Sequence, residues 1–232
     1  MATIPVLFLP GLLEDADAFD PQIVALRKLA PCTVADLTRA DTIAGLANEA
    51  LKQAPEGPFA IAGHSMGGYV ALEIMRQAPE RVVRLALLNT HARPDSTEAT
   101  ENRRRLMALA QKDFPAVIEA LLPKLMTVEH VQEATKTEVI FEMAMSIGKE
   151  AFLCQQRAIL GRIDSRPHLA DIRCKTLVLA ARGDQLMPME LLEELAHGIP
   201  GSTLAIVEDS GHMASIEQPE AVTRLLLEWI AD

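Results

Sequence analysis

Residues 59–78 read FAIAGHSMGGYVALEIMRQA, and the organisation of the rest of the chain follows from them. The run from Phe59 is short and apolar, as a buried strand would be, and from Met66 onward apolar residues recur at helical spacing. Ser65 falls in the corner between the two. Gly63-His64-Ser65-Met66-Gly67 is a G-x-S-x-G elbow, a sharp, strained strand-to-helix turn that lifts a serine hydroxyl above a sheet. Glycine at both flanking positions lets strand and helix close tightly enough to hold that turn. At about 7% each for Gly and Ser, such a pentapeptide arises by chance in roughly one chain in fifteen of this length. Its meaning therefore depends on what surrounds it.

Working outward, five more runs are strand-like: PVLFL (5–9), TVADL (33–37), LALLN (85–89), KTLVLAA (175–181) and TLAIV (203–207). Each is nearly continuously apolar, as parallel strands covered on both faces are. Helical patterns lie between them. Asp20-Pro21 predicts a cap and a first-turn proline for a helix over 22–29, Asp41 predicts the cap of a helix carrying Ile43, Leu46, Ala47, Ala50 and Leu51, and a later helix runs from near Met189 to Gly198. This alternation predicts an α/β fold of three layers, a doubly wound, mostly parallel, six-stranded sheet with a ligand crevice at the carboxyl ends of the strands. Pro10-Gly11-Leu12, Ser65, Asp184 and His212 all fall at such ends. The alternation breaks once, where four amphipathic helical patterns follow one another without a strand. Turn-rich stretches at 92–97 (ARPDST) and 163–168 (IDSRPH) bound this segment. The division is an α/β core, 1–92 and 173–232, with 93–172 inserted as a helical cap.

A chain of 232 residues can bury one large core. Its net charge of −10 and pI near 5.1 argue against a nucleic-acid or anionic-membrane surface. Cys32, Cys154 and Cys174 are expected as reduced thiols. The opening MATIPVLFLPG lacks a basic segment and fits a strand better than a signal peptide, and no run approaches the roughly 18 apolar residues of a membrane helix. A cytoplasmic protein without metal or cofactor is the expectation.

Acyl chemistry on a serine needs a base for the hydroxyl proton, a carboxylate to orient that base, and donors for the oxyanion. Of six histidines, His64 adjoins the serine with its side chain directed away, His130, His168 and His197 fall in helices and connections, and His91 lies past the fourth strand where it can line a pocket. His212 follows the last strand in a loop ahead of the C-terminal helix, which makes it the base. Asp184 ends the fifth strand in ARGD and keeps the chain order Ser, Asp, His, whereas the end of the fourth strand offers Asn89 in place of an acid. The oxyanion donors are the backbone N–H groups of Met66 and, since Pro10 has none, of Leu12 in preference to Gly11, with Gly11 letting its loop approach the serine. Gly11, His91, Met187 and Met213 are candidate substrate contacts. Arg103-Arg104-Arg105 is either a solvated helix face or an anion site that meets a carboxylate or a phosphopantetheine-linked acidic acyl carrier.

With these residues placed, the chain resembles the α/β-hydrolase superfamily over nearly its whole length. LPGLL resembles the His-Gly-x oxyanion loop, with Pro10 where many members have histidine, GHSMGG resembles the nucleophile elbow, ARGDQLMP the acid loop and SGHMASIEQPE the histidine loop. Within the superfamily it is similar to small bacterial esterases and 3-oxoadipate enol-lactone hydrolases, and QQRAILGRIDSRPHLADIRCKTLVLAARGD is similar to the cap exit of that group. The usual leading β-hairpin is missing, which implies the strand order 2-1-3-4-5-6. The resemblance implies a serine hydrolase of a small carboxylic ester, lactone or thioester. Two alternatives share the scaffold: cofactor-free perhydrolysis or haloperoxidase chemistry, and a ligand-binding receptor that catalyses nothing.

Overall fold

The computed structural model describes residues 3–231. Six strands, β1 (Val6–Leu9), β2 (Cys32–Val34), β3 (Phe59–His64), β4 (Val82–Leu88), β5 (Lys175–Ala181) and β6 (Thr203–Val207), form one sheet in the order β2-β1-β3-β4-β5-β6. Every neighbouring pair is parallel. This is the expected three-layer α/β architecture and strand order. Among the described residues no helix is long and apolar enough to cross a membrane.

Side chains alternate between the two faces, as a strand period of two requires. Leu7 and Leu9 of β1, Ile61 of β3 and Leu85 and Leu87 of β4 pack with α2 (Ile43–Gln53), α3 (Met66–Gln77) and α7 (Met189–Gly198). Val6, Phe8, Ala60, Ala62, Ala86 and Leu88 pack on the other side with α1 (Asp20–Leu26) and the C-terminal α9 (Pro219–Ala231), where Trp229 fills the layer. Between β4 and β5 stand α4 (Thr97–Ala110), α5 (Phe114–Leu125) and α6 (Ala134–Leu160). Gly148, at φ 82° and ψ 168°, breaks α6 into two halves, which accounts for four helical patterns in the sequence. The insertion has its own small core, in which Val117, Ile118, Ala144 and Phe152 pack with Leu13 from the loop after β1. A short α8 (Ala214–Glu217) precedes α9.

Boundaries differ from the sequence expectation where side chains compete for backbone groups. Asp20 lies inside α1 instead of capping it, because a 3-10 turn over Ala16–Phe19, capped by Asp15, leads straight into the helix. Thr42, not Asp41, caps α2: its hydroxyl accepts the Gly45 N–H at 3.0 Å, while Asp41 faces Arg157 at 3.6 Å. The expected strand 33–37 stops short because Gln53 of α2 accepts the Asp36 N–H at 2.8 Å and ends the ladder.

The N-terminal turn of α3 lies hard against the end of β1. A Cβ on Gly67 would sit 1.9 Å from the Leu9 carbonyl oxygen and 2.7 Å from that of Pro10, and backbone on both sides leaves nothing to yield. Gly67→Ala is therefore expected to lower the free energy of unfolding in urea by about 2–3 kcal/mol, despite the better helix propensity of alanine. Gly161→Ala, whose Cβ would meet nothing closer than 3.5 Å, is expected to stay within about 1 kcal/mol of the parent protein.

Candidate active site

Ser65 sits at φ 49° and ψ −114°, a conformation that costs a non-glycine residue on the order of 1–3 kcal/mol. Three hydrogen bonds hold it there: its N–H donates to the Leu88 carbonyl at 3.0 Å, and its own carbonyl accepts from the Gly68 N–H at 3.0 Å and the Thr90 hydroxyl at 2.8 Å. Among the described residues, the other non-glycine positions with positive φ are Leu13, Asn89 and Asp209. Each follows the carboxyl end of a strand, so the backbone strain of the molecule gathers at one edge of the sheet.

At that edge His212 Nε2 lies 2.9 Å from Ser65 Oγ, and His212 Nδ1 lies 2.8 Å from Asp184 Oδ2. Facing a carboxylate oxygen, Nδ1 carries the hydrogen, which leaves the Nε2 lone pair for the serine hydroxyl. Asp184 is buried and its oxygens are fully used. Oδ2 also accepts from Asn89 Nδ2 at 2.8 Å, and Oδ1 accepts the N–H groups of Leu186 and Met187 at 2.8 and 3.0 Å. Burial pushes this carboxyl up, but His212, Asn89 and the backbone donors outweigh it and hold the group below the ordinary carboxylate range. Asn89, read from sequence only as a missing acid, is thus a donor to the acid that is present.

Sequence reasoning missed a second buried carboxylate. Glu14 accepts the Gly11 N–H at 2.7 Å and lies 2.8 Å from His64 Nδ1, while His64 Nε2 donates to the His212 carbonyl at 2.9 Å. Both ring nitrogens of His64 face acceptors. Burial opposes the charged imidazole, yet Glu14 and the two hydrogen bonds raise its pKa overall. A Cβ on Gly11 would lie 2.4 Å from Glu14 Oε1, so the glycine makes room for this carboxylate, and its N–H is spent on it. Leu12 remains the residue after β1 with a backbone donor to offer, as Met66 does at the start of α3.

A cavity of about 210 Å³ opens onto Ser65 and His212. Leu12, His91, Met187 and Met213 border it, as does Met143 of α6, whereas Met66 and Met126 are core residues and Met145 is exposed. The three consecutive arginines separate. Arg103 turns inward to Asp95 at 2.7 Å and to Gln156 at 3.0 Å, Arg104 is exposed, and Arg105 pairs with Glu101 at the surface. Glu217, also unforeseen, accepts from the Gly211 and Thr127 N–H groups and so ties the loop of His212 to the end of α5. Among the described residues no group of three or more His, Cys, Asp or Glu is placed to hold a metal ion.

The same arrangement of elements recurs in known proteins. A thermophilic esterase from Thermogutta terrifontis is 30% identical and superimposes with a TM-score of 0.89 over 98% of this chain and 89% of its own. The enol-lactonase from Burkholderia xenovorans LB400 has a TM-score of 0.90 over 100% and 93% of the two chains at 24% identity, a likeness of fold. A putative carbamate hydrolase of Azorhizobium caulinodans is 32% identical over 72% of this chain, and the match spans 64% of that relative, a little under two thirds of its length. The profile of the Alpha/beta hydrolase family matches residues 6–225, nearly the whole sequence, and the chain belongs to that family.

Proposed function

We propose that the protein is a serine hydrolase that cleaves a small carboxylic ester, lactone or thioester through an acyl-enzyme. The observation that carries this reading is the continuous hydrogen-bonded line from Ser65 Oγ through His212 to Asp184. In this reading His212 Nε2 takes the hydroxyl proton as Oγ attacks the substrate carbonyl, Asp184 stabilises the resulting imidazolium, and the proton passes to the leaving oxygen or sulfur as its bond to the acyl carbon breaks. Water, deprotonated by the same imidazole, then releases the acid and restores Ser65. The backbone N–H groups of Leu12 and Met66 hold the oxyanion, helped by the positive end of α3. Residues 93–172 serve as a cap over the core of 1–92 and 173–232. The support for this is that Leu106, Ile118 and Met143 border the same cavity as Ser65. The esterase, lactonase and carbamate hydrolase named for the relatives all attack an acyl carbon, and this site is suited to the same class of bond.

Glu14 and His64 position the parts. One carboxylate holds the oxyanion loop through Gly11, and its histidine holds the carbonyl of the proposed base.

Ser65→Ala is expected to lower hydrolysis of activated aryl esters by about a thousandfold or more without loss of fold, and to abolish the mass shift produced by a fluorophosphonate. Residual turnover near that of the parent would sink the reading. Glu14→Gln is expected to cost about tenfold in kcat/KM and to slow fluorophosphonate labelling in parallel. The Asp184 carboxylate, held below the ordinary carboxylate range, is expected to keep its charge on acidification through that range, read from its carboxyl 13C chemical shift. A carboxyl shift that titrates within the ordinary range would contradict this.

A further inference from the structure

Beside the line from Ser65 to Asp184 runs a second buried chain of polar groups, and its hydrogen bonds do not close without one more proton. His64 Nδ1 lies 2.9 and 2.8 Å from the two oxygens of Glu14, and His64 Nε2 lies 2.9 Å from the His212 carbonyl oxygen. A neutral imidazole has one N–H and one lone pair. With the hydrogen on Nδ1, the bare Nε2 faces a carbonyl oxygen that only accepts. With it on Nε2, the bare Nδ1 faces a carboxylate that only accepts. The side chains of His64 and Glu14 are 2% and 5% exposed, so solvent relieves neither clash, and a broken pairing of this kind costs on the order of 1–3 kcal/mol.

One added proton closes both bonds. An imidazolium donates from both nitrogens at once, to Glu14 and to His212, and the carboxylate balances its charge. Placing that proton on Glu14 instead, directed at Nδ1, leaves the proton count unchanged but weakens the carboxylate as acceptor of the Gly11 N–H, 2.7 Å away. Burial disfavours the charged ring, yet Glu14, the His212 carbonyl and the more distant Asp184 outweigh it and raise the His64 pKa above the ordinary histidine value. The other rings packed on it are the His212 imidazole, with centroids 4.9 Å apart, and the uncharged Phe19, at 6.4 Å. Because the pair with Glu14 carries no net charge, it leaves His212 free to become positive during the reaction.

We propose that His64 is a positioning residue that works as an imidazolium, its ion pair with Glu14 holding the oxyanion loop and the proposed base in place, and that loss of this one proton sets the alkaline limit of the reaction. Deprotonation has two effects. It releases either the His212 carbonyl or the Glu14 carboxylate from the ring, and it leaves Glu14 negative and unbalanced at the border of the cavity. That charge stands on the loop of Gly11 and Leu12, where it opposes the negative charge developing on the substrate oxygen. Since folding raises the His64 pKa, the stability this group contributes is complete below the ordinary value of about 6.5 and is lost as pH rises through the raised value. Fold and rate therefore weaken in the same direction. The consequence for rate rests on the proposed acyl-enzyme chemistry at Ser65, whereas the charge of the pair does not.

The test pairs 15N NMR of protein labelled at histidine with rates of ethyl butanoate hydrolysis. At pH 7 both ring nitrogens of His64, assigned through the backbone, are expected at protonated shifts. As pH is raised they should titrate in step with a fall in kcat/KM of about tenfold per pH unit. Glu14→Gln supplies a neutral replacement, since its amide can donate to Nδ1 while its oxygen keeps the Gly11 N–H. In that variant the rate starts about tenfold lower and is expected to stay level over the range in which the parent falls. A bare nitrogen on His64 at pH 7 overturns the proposal. So does a level parent profile up to alkaline unfolding, or a fall that is out of step with His64 or unchanged in Glu14→Gln. Where Glu14→Gln does not fold, the shifts and the profile of the parent decide. Ser65→Ala separates the two ideas. If turnover survives it, the acyl-enzyme reading falls while the 15N shifts still report the charge of the pair; if turnover is lost and His64 is neutral, the acyl-enzyme reading stands and this inference alone falls.

Discussion

Asp184 sets the constraint that the site depends on. A carboxylate out of contact with water keeps its charge only if its oxygens are met by donors, since desolvation otherwise drives protonation. Here four donors meet it, and they come from three stretches: Asn89 at the end of β4, the N–H groups of Leu186 and Met187 just beyond β5, and His212 beyond β6. Each stretch follows the carboxyl end of a different strand, so the carboxylate can remain ionised only when the parallel sheet has brought those ends together. The orientation of His212, and through it the hydrogen bond to Ser65, is a consequence of that same convergence.

Two further buried carboxylates do for the surrounding loops what Asp184 does for the histidine. Glu14 takes the Gly11 N–H and grips His64, which reaches the His212 carbonyl. Glu217 takes the Gly211 and Thr127 N–H groups and His130, and the Met213 N–H adds a bond to the Leu125 carbonyl. The segment from Gly211 to Met213 is thereby fastened on one side to the loop after β1 and on the other to the helical insertion. Groups held this way need little reorganisation when charge develops beside them, which is the condition under which fixed dipoles act most strongly.

How much of this was legible in the sequence depended on the range of the interaction. Ser65 could be found because its strand, turn and helix are contiguous, and Asp184 and His212 because each directly follows an apolar run. The strand order came with the family resemblance. The caps were misjudged where two neighbouring residues could both serve, as with Asp41 and Thr42, since the choice rests on backbone angles that the sequence does not display. Glu14, Asn89, Glu217 and Gln156 had no local signal. Glu14 and Glu217 each also take a nearby N–H, from Gly11 and Gly211, but the partners that give these residues their place lie 50 residues away for Glu14 with His64, 95 for Asn89 with Asp184, 90 for Glu217 with Thr127, and 53 for Gln156 with Arg103. The arginine run shows the same limit in reverse. Three identical neighbours invite one common role, yet helical rotation sends Arg103 inward and leaves the other two at the surface.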